Sequence, residues 1–297
     1  MNRLLVGYRA AELTPELLCG NVTCHVLDIY HAHAIERVFP TARVICSSHL
    51  PKGEWDEIYF HTGPKVMSGE LSLNLLQEIH LLKPKEFKLD FVGKERDRND
   101  LLNKIKDDPD RVRNFAAKWS ASVPGGEALT FTSLPGCFCH RRLDEGGLAL
   151  AEVVSREIRG GKLLDMGCGC GLVGLLIATK VRTLELTMVD SHTRAIEAAN
   201  INADNFGIKA EVILSDNGTP SSMDNTFDVF VGNPPYYSDY RIADVFLSTA
   251  RRALKKGGVC YTVVKNDVGL RPVQERYFPS VEVIKRRGYC VLRSKND

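Results

Sequence analysis

Three glycines in alternation, Gly167, Gly169 and Gly171, lie between an apolar segment that ends at Leu164 and another that begins at Leu172. A buried strand, a glycine-rich turn and a helix in this order open the nucleotide-binding unit of many α/β proteins. Glycine is needed there because a Cβ atom would block a ligand that lies against the backbone. The pattern therefore indicates a ligand site, although a tight connection between a strand and a helix would look the same.

An acidic residue follows about twenty residues later, at the spacing that a ribose-binding carboxylate has in such units. Asp190 ends a second apolar segment, Leu184–Val189, which predicts the next strand. A carboxylate at that strand end can accept hydrogen bonds from both hydroxyls of a ribose. Together the glycines and Asp190 favour a site for a nucleoside-containing cofactor over a plain turn.

The glycine spacing alone leaves two cofactors open. Asp165-x-Gly-x-Gly-x-Gly resembles the first motif of class I S-adenosylmethionine methyltransferases, while Gly169, Gly171 and Gly174 also fit the Gly-x-Gly-x-x-Gly spacing of an NAD site. The decision comes from Asn233-Pro234-Pro235-Tyr236, which follows the apolar strand Phe227–Gly232. This tetrapeptide resembles the fourth motif of amino-group methyltransferases, so S-adenosyl-L-methionine is the cofactor that the two motifs imply.

The resemblance implies a role for each catalytic candidate in the second motif. The side-chain oxygen of Asn233 and the backbone carbonyl of Pro234 would each accept a hydrogen bond from the target amine. Two acceptors outside the plane of a purine ring would favour a pyramidal nitrogen with a free lone pair. Tyr236 would stack on the base. Catalysis would then rely on orientation and electrostatics rather than on a strong base.

The same resemblance implies the cofactor contacts. Asp165 would attract the ammonium group of the methionine end, and Asp190 would bind the ribose. Asp216, with Asn217, would meet the adenine amine, although a loop cap explains Asp216 equally well. The candidate cofactor-binding residues are Asp165, Gly167, Gly169, Gly171, Asp190, Asp216, Asn217 and Asn233.

Composition limits the class of protein. The 297 residues, 44% of them hydrophobic, suffice for two domains with cores. Nine cysteines, no run that could span a membrane and no signal-peptide core in Met1–Ala10 predict a cytoplasmic protein. Cys137-x-Cys139 and Cys168-x-Cys170 are spaced more closely than zinc ligands usually are, so we expect buried free thiols and no metal.

Charge is concentrated at one end of the sequence. The net charge is +2, but residues 251–297 hold twelve Lys or Arg against four Asp or Glu, a local balance of +8. Such a stretch suits a polyanionic partner, and a solvated basic surface explains it as well. We expect Arg141, Arg142, Arg286 and Arg287 to contact RNA phosphates.

The first half of the chain repeats the element order of the second half. Its predicted strands and helices are Val22–Leu27, His31–Val38, Arg43–Cys46, Glu57–His61, Ser68–Leu82 and Phe87–Val92. No glycine loop precedes Val22, and His61-Thr62-Gly63-Pro64 stands where the second half has Asn233. We therefore predict an α/β protein with two Rossmann-like methyltransferase domains. Residues 1–120 would form a degenerate domain that binds substrate or braces the fold, and residues 121–297 a catalytic domain with a seven-stranded class I sheet.

A charged connector, Gly93–Ala121, joins the halves, and we predict helices there over Leu101–Ile105 and Val112–Trp119. Further helices are predicted over Ala149–Ile158 and over Arg241–Leu254, where Lys255-Lys256-Gly257-Gly258 would end the helix. The remaining predicted strands are Val259–Val264, Val281–Ile284 and Tyr289–Arg293, with the last two as an antiparallel pair.

A longer set of motifs narrows the resemblance. Leu134-Pro135-Gly136-Cys137-Phe138, then Leu143-Asp144-Glu145-Gly146, then the glycine loop and Asn233-Pro234-Pro235-Tyr236 are similar to the ribosomal RNA guanine-N2 methyltransferases of the RsmC type. That family pairs an inactive N-terminal domain with an active C-terminal one, and its known members have longer N-terminal halves. The resemblance implies an RNA partner, either ribosomal RNA or a ribosomal subunit, and no membrane partner.

Three other functions remain compatible with these residues. The Asn-Pro-Pro-Tyr motif also serves adenine-N6 and protein-glutamine-N5 methylation, so it does not separate them from guanine N2. A non-catalytic RNA-binding assembly factor could retain the same fold, but the complete glycine motif, Asp190 and Asn233 favour an enzyme.

Overall fold

The computed structural model describes residues 1–106, 113–235 and 240–297. The chain divides into two compact units. The first contains Met1–Ala116 with two short later segments, Leu134–Gly136 and His192–Arg194, and the second contains the rest. Arg194 belongs to the first unit because its buried guanidinium donates to the carbonyl oxygen of Ser48 and to Glu78 Oε1, both at 3.0 Å.

The first unit is built on a five-stranded parallel sheet with the order β3-β2-β1-β4-β5. Its elements are β1 (Asn2–Val6), β2 (Asn21–Val26), α1 (Ile29–Val38), β3 (Arg43–Cys46), β4 (Glu57–Thr62), α2 (Gly69–Leu82), β5 (Glu86–Phe91) and α3 (Glu95–Lys106). The elements predicted from the sequence between Val22 and Val92 are confirmed to within two residues at each end.

One strand of this sheet was missing from the sequence prediction, which assigned nothing before Val22. Residues 2–6 form β1, the central strand, and Leu4, Leu5 and Val6 are fully buried in it. A short 3₁₀ turn, Ala10–Glu12, follows in place of a glycine loop and helix. The first unit therefore has the central strand of a Rossmann-like sheet without the turn that would bind a nucleotide.

The second unit has a seven-stranded sheet with the order β10-β9-β8-β11-β12-β14-β13. Its strands are β8 (Gly161–Met166), β9 (Leu184–Asp190), β10 (Ala210–Leu214), β11 (Phe227–Gly232), β12 (Leu254–Val264), β13 (Glu282–Arg286) and β14 (Tyr289–Lys295). Only β14 runs against its neighbours, pairing antiparallel with β12 and β13. The α/β class predicted from the sequence is confirmed, as is the antiparallel closing pair.

Helices surround this sheet, and a separate hairpin precedes it in the sequence. The helices are α4 (Glu145–Glu157), α5 (Leu172–Lys180), α6 (Thr193–Asn205), α7 (Arg241–Ala253) and α8 (Asp267–Glu275), and the hairpin strands are β6 (Ala117–Ala121) and β7 (Leu129–Ser133). The apolar face of α7 packs on the sheet through Phe246, Leu247 and Ala250. Phe246 lies directly beneath the glycine loop, because a Cβ on Gly167 would come within 2.6 Å of its ring.

One helix predicted from the sequence is wrong. The helix predicted over Val112–Trp119 is not formed, since residues 117–121 are strand β6, where Trp119 pairs with Phe131 and stacks on it at 5.1 Å; Val112 lies outside the described residues. The helix predicted over Arg241–Leu254 is confirmed to within one residue, since α7 ends at Ala253. Lys255–Gly258, predicted to end that helix, lie in β12, which starts at the fully buried Leu254 and pairs there with Phe227.

A buried carboxylate ties α4 to the β13–β14 hairpin. Glu152 is 1% exposed, and its two oxygens accept hydrogen bonds from the Nε atoms of Arg286 and Arg287. Arg287 also donates to the exposed Glu145 at 3.1 Å. Arg286 and Arg287, predicted to contact RNA phosphates, are thus both held by buried Glu152 while their side chains stay partly exposed, and the phosphate contacts stay a prediction.

We expect Glu152→Ala to lower the free energy of unfolding by about 1–3 kcal/mol, the scale of hydrogen bonds to a charged group. Glu145→Ala is the matched control on the same helix, and it should cost less than about 1 kcal/mol because its ion pair is exposed. Urea denaturation of both variants makes the comparison. Equal effects would show that burial of the Glu152 carboxylate does not matter.

Candidate functional site

The predicted site residues gather at one edge of the seven-stranded sheet, where the parallel strands β10, β9, β8 and β11 end side by side. Met166 pairs with Val189 on one side and with Gly232 on the other, and Leu214 pairs with Asp190. The chain leaves β8 toward β9 on one side and returns to β11 on the other. Such a reversal at the carboxyl ends of parallel strands is the usual ligand-binding place of an open α/β sheet.

The loop after β8 is held against β9 by backbone hydrogen bonds. The N–H groups of Gly167 and Cys168 both donate to the carbonyl oxygen of Val189, at 2.8 and 3.0 Å. Gly167, Gly169 and Gly171 have φ values of +69°, +55° and +86°, in the left-handed region that glycine enters at no steric cost. The backbone conformation thus favours glycine at all three positions, as the sequence predicted.

The reason predicted for these glycines holds at one position only. A Cβ on Gly167 would meet Phe246, and a Cβ on Gly171 would lie 2.7 Å from Leu175 Cδ1, so the protein itself excludes side chains there. At Gly169 no atom of the described residues lies within 4 Å of such a Cβ. Gly169 is therefore the glycine at which the backbone is open to a ligand.

Asp190 lies beside this open position. Its Oδ2 accepts a hydrogen bond from the Gly169 N–H at 2.9 Å, and its backbone oxygen accepts from Ser215 N–H at 2.9 Å. The side chain is half-buried. Asp190 thus joins the ends of three neighbouring strands, through its carboxylate to the loop after β8 and through its backbone oxygen to the loop after β10.

Asp165 lies deeper than the sequence analysis expected. The side chain is 2% exposed, and its Oδ2 accepts from the Gly174 N–H at 2.8 Å, in the first turn of α5. Burial, with a smaller contribution from the charge of Asp190, raises the pKa of the Asp165 carboxyl to about 7. The hydrogen bond to Gly174 gives Asp165 a role in holding the loop, beside any attraction for a cofactor ammonium.

The Asp216 and Asn217 pair lies in the loop that follows β10. Ser215 Oγ donates to Asn217 Oδ1 at 3.0 Å, and the Asn217 N–H lies 3.4 Å from Ser215 Oγ. Asp216 is half-buried and Asn217 is exposed. The backbone bond from Ser215 to Asp190 places both residues at the same sheet edge as the glycine loop.

Asn233 follows β11 directly and lies on the other side of β8. Its side-chain nitrogen donates to Asp144 Oδ2 at 2.8 Å. Within the described ranges, no residue donates a hydrogen bond to the Asn233 side-chain oxygen. Pro234 is buried behind it, and the predicted stacking residue Tyr236 lies outside the described residues.

Asp144 is a site residue to which the sequence analysis gave no role. It caps the N-terminus of α4, where its Oδ1 accepts from the Gly146 N–H at 3.0 Å. The available signal was the Leu-Asp-x-Gly motif, whose acid had no assigned partner. Its contact with Asn233 joins residues that are 89 positions apart in the sequence, so no local pattern predicted it.

The cysteines near the loop behave as buried side chains. Cys137, Cys168 and Cys170 are all buried, and burial raises the pKa of the Cys168 thiol well above its usual range. Protonated thiols are poor metal ligands. Across the described residues, no group of three or more His, Cys, Asp or Glu side chains is arranged to hold a metal ion.

In the same ranges, no helix has both the length and the apolar character needed to cross a membrane.

The fold and the sheet edge together define a methyltransferase domain. The family described as methyltransferase small domain matches residues 128–293, which is more than half of the chain, so this protein belongs to that family.

Curated relatives carry the name ribosomal RNA small subunit methyltransferase C. One from Haemophilus influenzae (strain PittGG) is 31% identical over 190 residues, which cover 62% of this chain and 56% of the relative. One from Pseudomonas syringae pv. syringae is 32% identical over 172 residues, covering 56% of this chain and 51% of the relative. The chain thus spans about half the length of the curated relatives it matches.

A solved structure has the same fold over the whole chain. It is the T. thermophilus 16S rRNA N2 methyltransferase RsmC, in complex with AdoMet and guanosine. It is 18% identical, with a TM-score of 0.81, and the match covers 100% of this chain and 88% of that one. At this identity the likeness establishes the fold.

The raised pKa of Asp165 makes stability depend on pH with a defined sign. The folded protein keeps the proton up to pH about 7, whereas an unfolded aspartate loses it near 3.8. Between these values the folded state binds more protons, so stability falls as pH rises, by about 1.4 kcal/mol per unit.

We expect Asp165→Asn to remove this dependence, because an amide oxygen still accepts from Gly174 and carries no charge. Urea denaturation of wild type and variant in the absence of cofactor should show the variant gaining relative stability from about pH 4 to about pH 7. A constant difference across that window would mean that Asp165 ionises normally in the folded protein.

Proposed function

We propose that this protein transfers a methyl group from S-adenosyl-L-methionine to N2 of a guanine in ribosomal RNA. The observation that carries the proposal is the position of Asn233. A side-chain oxygen with no donor in the described residues lies at the end of β11, next to the strand whose glycine loop has an open position at Gly169. The names of the curated relatives and of the solved structure supply the substrate class.

The residues at the sheet edge fit the proposed cofactor. Asp190 is half-buried beside Gly169, where it can accept hydrogen bonds from ribose hydroxyls. Asp216 and Asn217, in the next loop, would meet the adenine amine. The carboxyl of Asp165, which burial leaves with a pKa of about 7, would be stabilised in its charged form by an ammonium group. When bound, the cofactor supplies an electrophilic methyl group on a sulfonium.

The target amine would be bound by acceptors. The side-chain oxygen of Asn233 accepts one N–H and the backbone carbonyl of Pro234 accepts the other. Proline has no N–H of its own to compete for these positions. The amine nitrogen is then free to direct its lone pair at the methyl group, so orientation and electrostatics do most of the catalysis. Tyr236, assigned from its place in the motif, would stack on the base, and a base within a duplex would first have to be flipped out.

The proposed N-terminal domain, residues 1–120, is a methyltransferase-like unit without a cofactor site. Its strand order β3-β2-β1-β4-β5 has the same pattern as β10-β9-β8-β11-β12. A large side chain stands directly after β1, where the second unit has its glycine loop. The ring of Tyr8 is buried there, 5.0 Å from the His61 ring. This unit would bind RNA or brace the catalytic domain, residues 121–297.

The proposed partner is RNA, as ribosomal RNA or within a ribosomal subunit. The candidates for phosphate contacts are Arg141, Arg142, Arg286 and Arg287, the last two while paired with Glu152. Cationic contacts to phosphates release counterions, so binding should weaken steeply with salt.

Asp190 has two acceptor roles that can be separated by mutation. Asp190→Ala removes the bond to Gly169 as well as the proposed ribose contact, and it should cost about 2–4 kcal/mol of cofactor affinity. Asp190→Asn keeps an acceptor for Gly169 and loses the charge, so it should cost less. Calorimetric titration with S-adenosyl-L-methionine measures both. Unchanged affinity in a folded Asp190→Ala protein would move the ribose contact elsewhere.

Mass spectrometry of nucleosides tests the function directly. Ribosomal RNA incubated with the protein and labelled cofactor should yield labelled N2-methylguanosine. Asn233→Ala should reduce the transfer rate by about 100-fold or more, the scale for removing one preorganised polar group. Its cofactor affinity should change little, because the glycine loop and Asp190 are intact.

The other outcomes identify the alternatives. Labelled N6-methyladenosine would assign the adenine reaction, and label in protein glutamine would assign the protein substrate. Tight RNA binding without label in any product would assign an assembly factor. An Asn233→Ala protein that transfers methyl groups at the wild-type rate would contradict the mechanism, whatever the loop binds.

A further inference from the structure

An asparagine can serve as acceptor for an amine in only one of its two side-chain orientations. Its oxygen accepts hydrogen bonds and its nitrogen donates two, and rotation about the last side-chain bond exchanges them. The target amine is itself a donor in the proposed reaction. If the Asn233 nitrogen faced the amine, two donors would meet and the base would be repelled.

We propose that Asp144 is a positioning residue, which holds the Asn233 amide with its oxygen directed at the substrate amine. The inference rests on the function proposed above. Asp144 Oδ2 lies 2.8 Å from the Asn233 side-chain nitrogen. An ionised carboxylate accepts hydrogen bonds and donates none, so only one orientation of the amide satisfies it. The reverse orientation would set an amide oxygen against a carboxylate oxygen.

Asp144 is itself fixed by the helix that it caps. Its Oδ1 accepts from the Gly146 N–H at 3.0 Å, and its backbone oxygen accepts from the Leu148 N–H at 2.9 Å. The positive end of the helix dipole favours a negative charge at this place. Each carboxylate oxygen of Asp144 thus has its own donor: Oδ1 accepts from the helix backbone and Oδ2 accepts from Asn233. The bond to the helix therefore also fixes the position of the oxygen that binds Asn233.

The glycine at position 147 leaves the space that this arrangement needs. A Cβ on Gly147 would lie 2.6 Å from Asp144 Oδ2, the same oxygen that accepts from Asn233. Gly147 has no positive φ to explain it, and glycine is a poorer helix former than alanine. Close approach of the Asp144 carboxylate is therefore the physical reason for glycine in the first turn of α4.

A role of Asp144 as a helix cap alone makes different predictions. Asparagine caps a helix about as well as aspartate, so Asp144→Asn would then leave catalysis unchanged. In the positioning role, an amide at position 144 can either donate or accept, and both orientations of Asn233 become possible. Asp144→Asn should then lower the single-turnover rate by about 10-fold to 100-fold, the range for losing a hydrogen bond to a charged group.

Rescue by exchange of the two residues is the decisive test. Asn233→Asp alone places two carboxylates together and should lower the rate by about 100-fold or more. Adding Asp144→Asn lets the new amide donate to the new carboxylate, whose second oxygen accepts from the substrate amine. The double variant should regain at least about 10-fold over Asn233→Asp. A helix cap would give no rescue, because it does not depend on the side chain at 233.

Two further variants complete the kinetic set. Gly147→Ala should lower the rate, because the added Cβ displaces Asp144 Oδ2 from Asn233. Glu145→Ala, on the same helix turn and without contact to Asn233 in the described residues, should leave the rate within about twofold of wild type. Cofactor affinity should stay within about twofold of wild type in Asp144→Asn, Gly147→Ala and Glu145→Ala.

The orientation is measured independently of activity by NMR. The side-chain NH₂ signals of Asn233, assigned by their loss in Asn233→Ala, should shift in Asp144→Asn because the charged acceptor is gone. Unchanged signals, or a wild-type rate in Asp144→Asn, would overturn the positioning role. If the signals shift in Asp144→Asn but the wild-type protein methylates no RNA, the proposed function is refuted. The conclusion that Asp144 orients the Asn233 amide would still stand.

Discussion

The turn after β8 depends on hydrogen bonds from β9, and the rest of the site depends on that turn. Val189 accepts from two loop N–H groups, and the carboxylate of Asp190 accepts from a third, at Gly169. Since the loop has three glycines at positive φ, it has little preference for one conformation by itself. The neighbouring strand supplies the preference. Asp190 is therefore part of the loop before any ligand arrives, and a change there alters the shape of the site as well as its contacts.

Much of the fold could be predicted because its strands are continuous apolar runs bounded by turn residues. Phe227–Gly232 and Arg43–Cys46 agree with the structure residue for residue. The strand at Asn2–Val6 could not be found this way, since three apolar residues in a row predict little. That strand is defined by pairing with β2 and β4 on its two sides. Likewise, Trp119 lies in a strand because Phe131 faces it across the hairpin, a contact that helical spacing does not reveal.

The site was predictable in its residue types and less so in its contacts. The motif spacing placed Asp190 and Asn233 at the sheet edge because strand ends fix the positions that follow them. It did not predict that Phe246 and Leu175 would account for two of the three glycines. Nor did it predict the contact of Asp144 with Asn233. That contact forms only when the start of helix α4 lies next to the end of strand β11. Local patterns specify which groups are present, whereas long-range packing specifies which of them meet.

The two sheets show why strand order does not by itself make a cofactor site. Both have the same order over five strands, yet their carboxyl edges differ in what fills them. In the first unit, Tyr8 is buried after β1, and the Nδ1 atom of His61 near the end of β4 lies within hydrogen-bond distance of Asp90 Oδ2, at 2.9 Å. Restoring glycines after β1 would leave the Tyr8 ring and this hydrogen bond in place. An open edge requires small residues in the loop and also neighbours that close against the loop without entering it, as Phe246 does beneath Gly167.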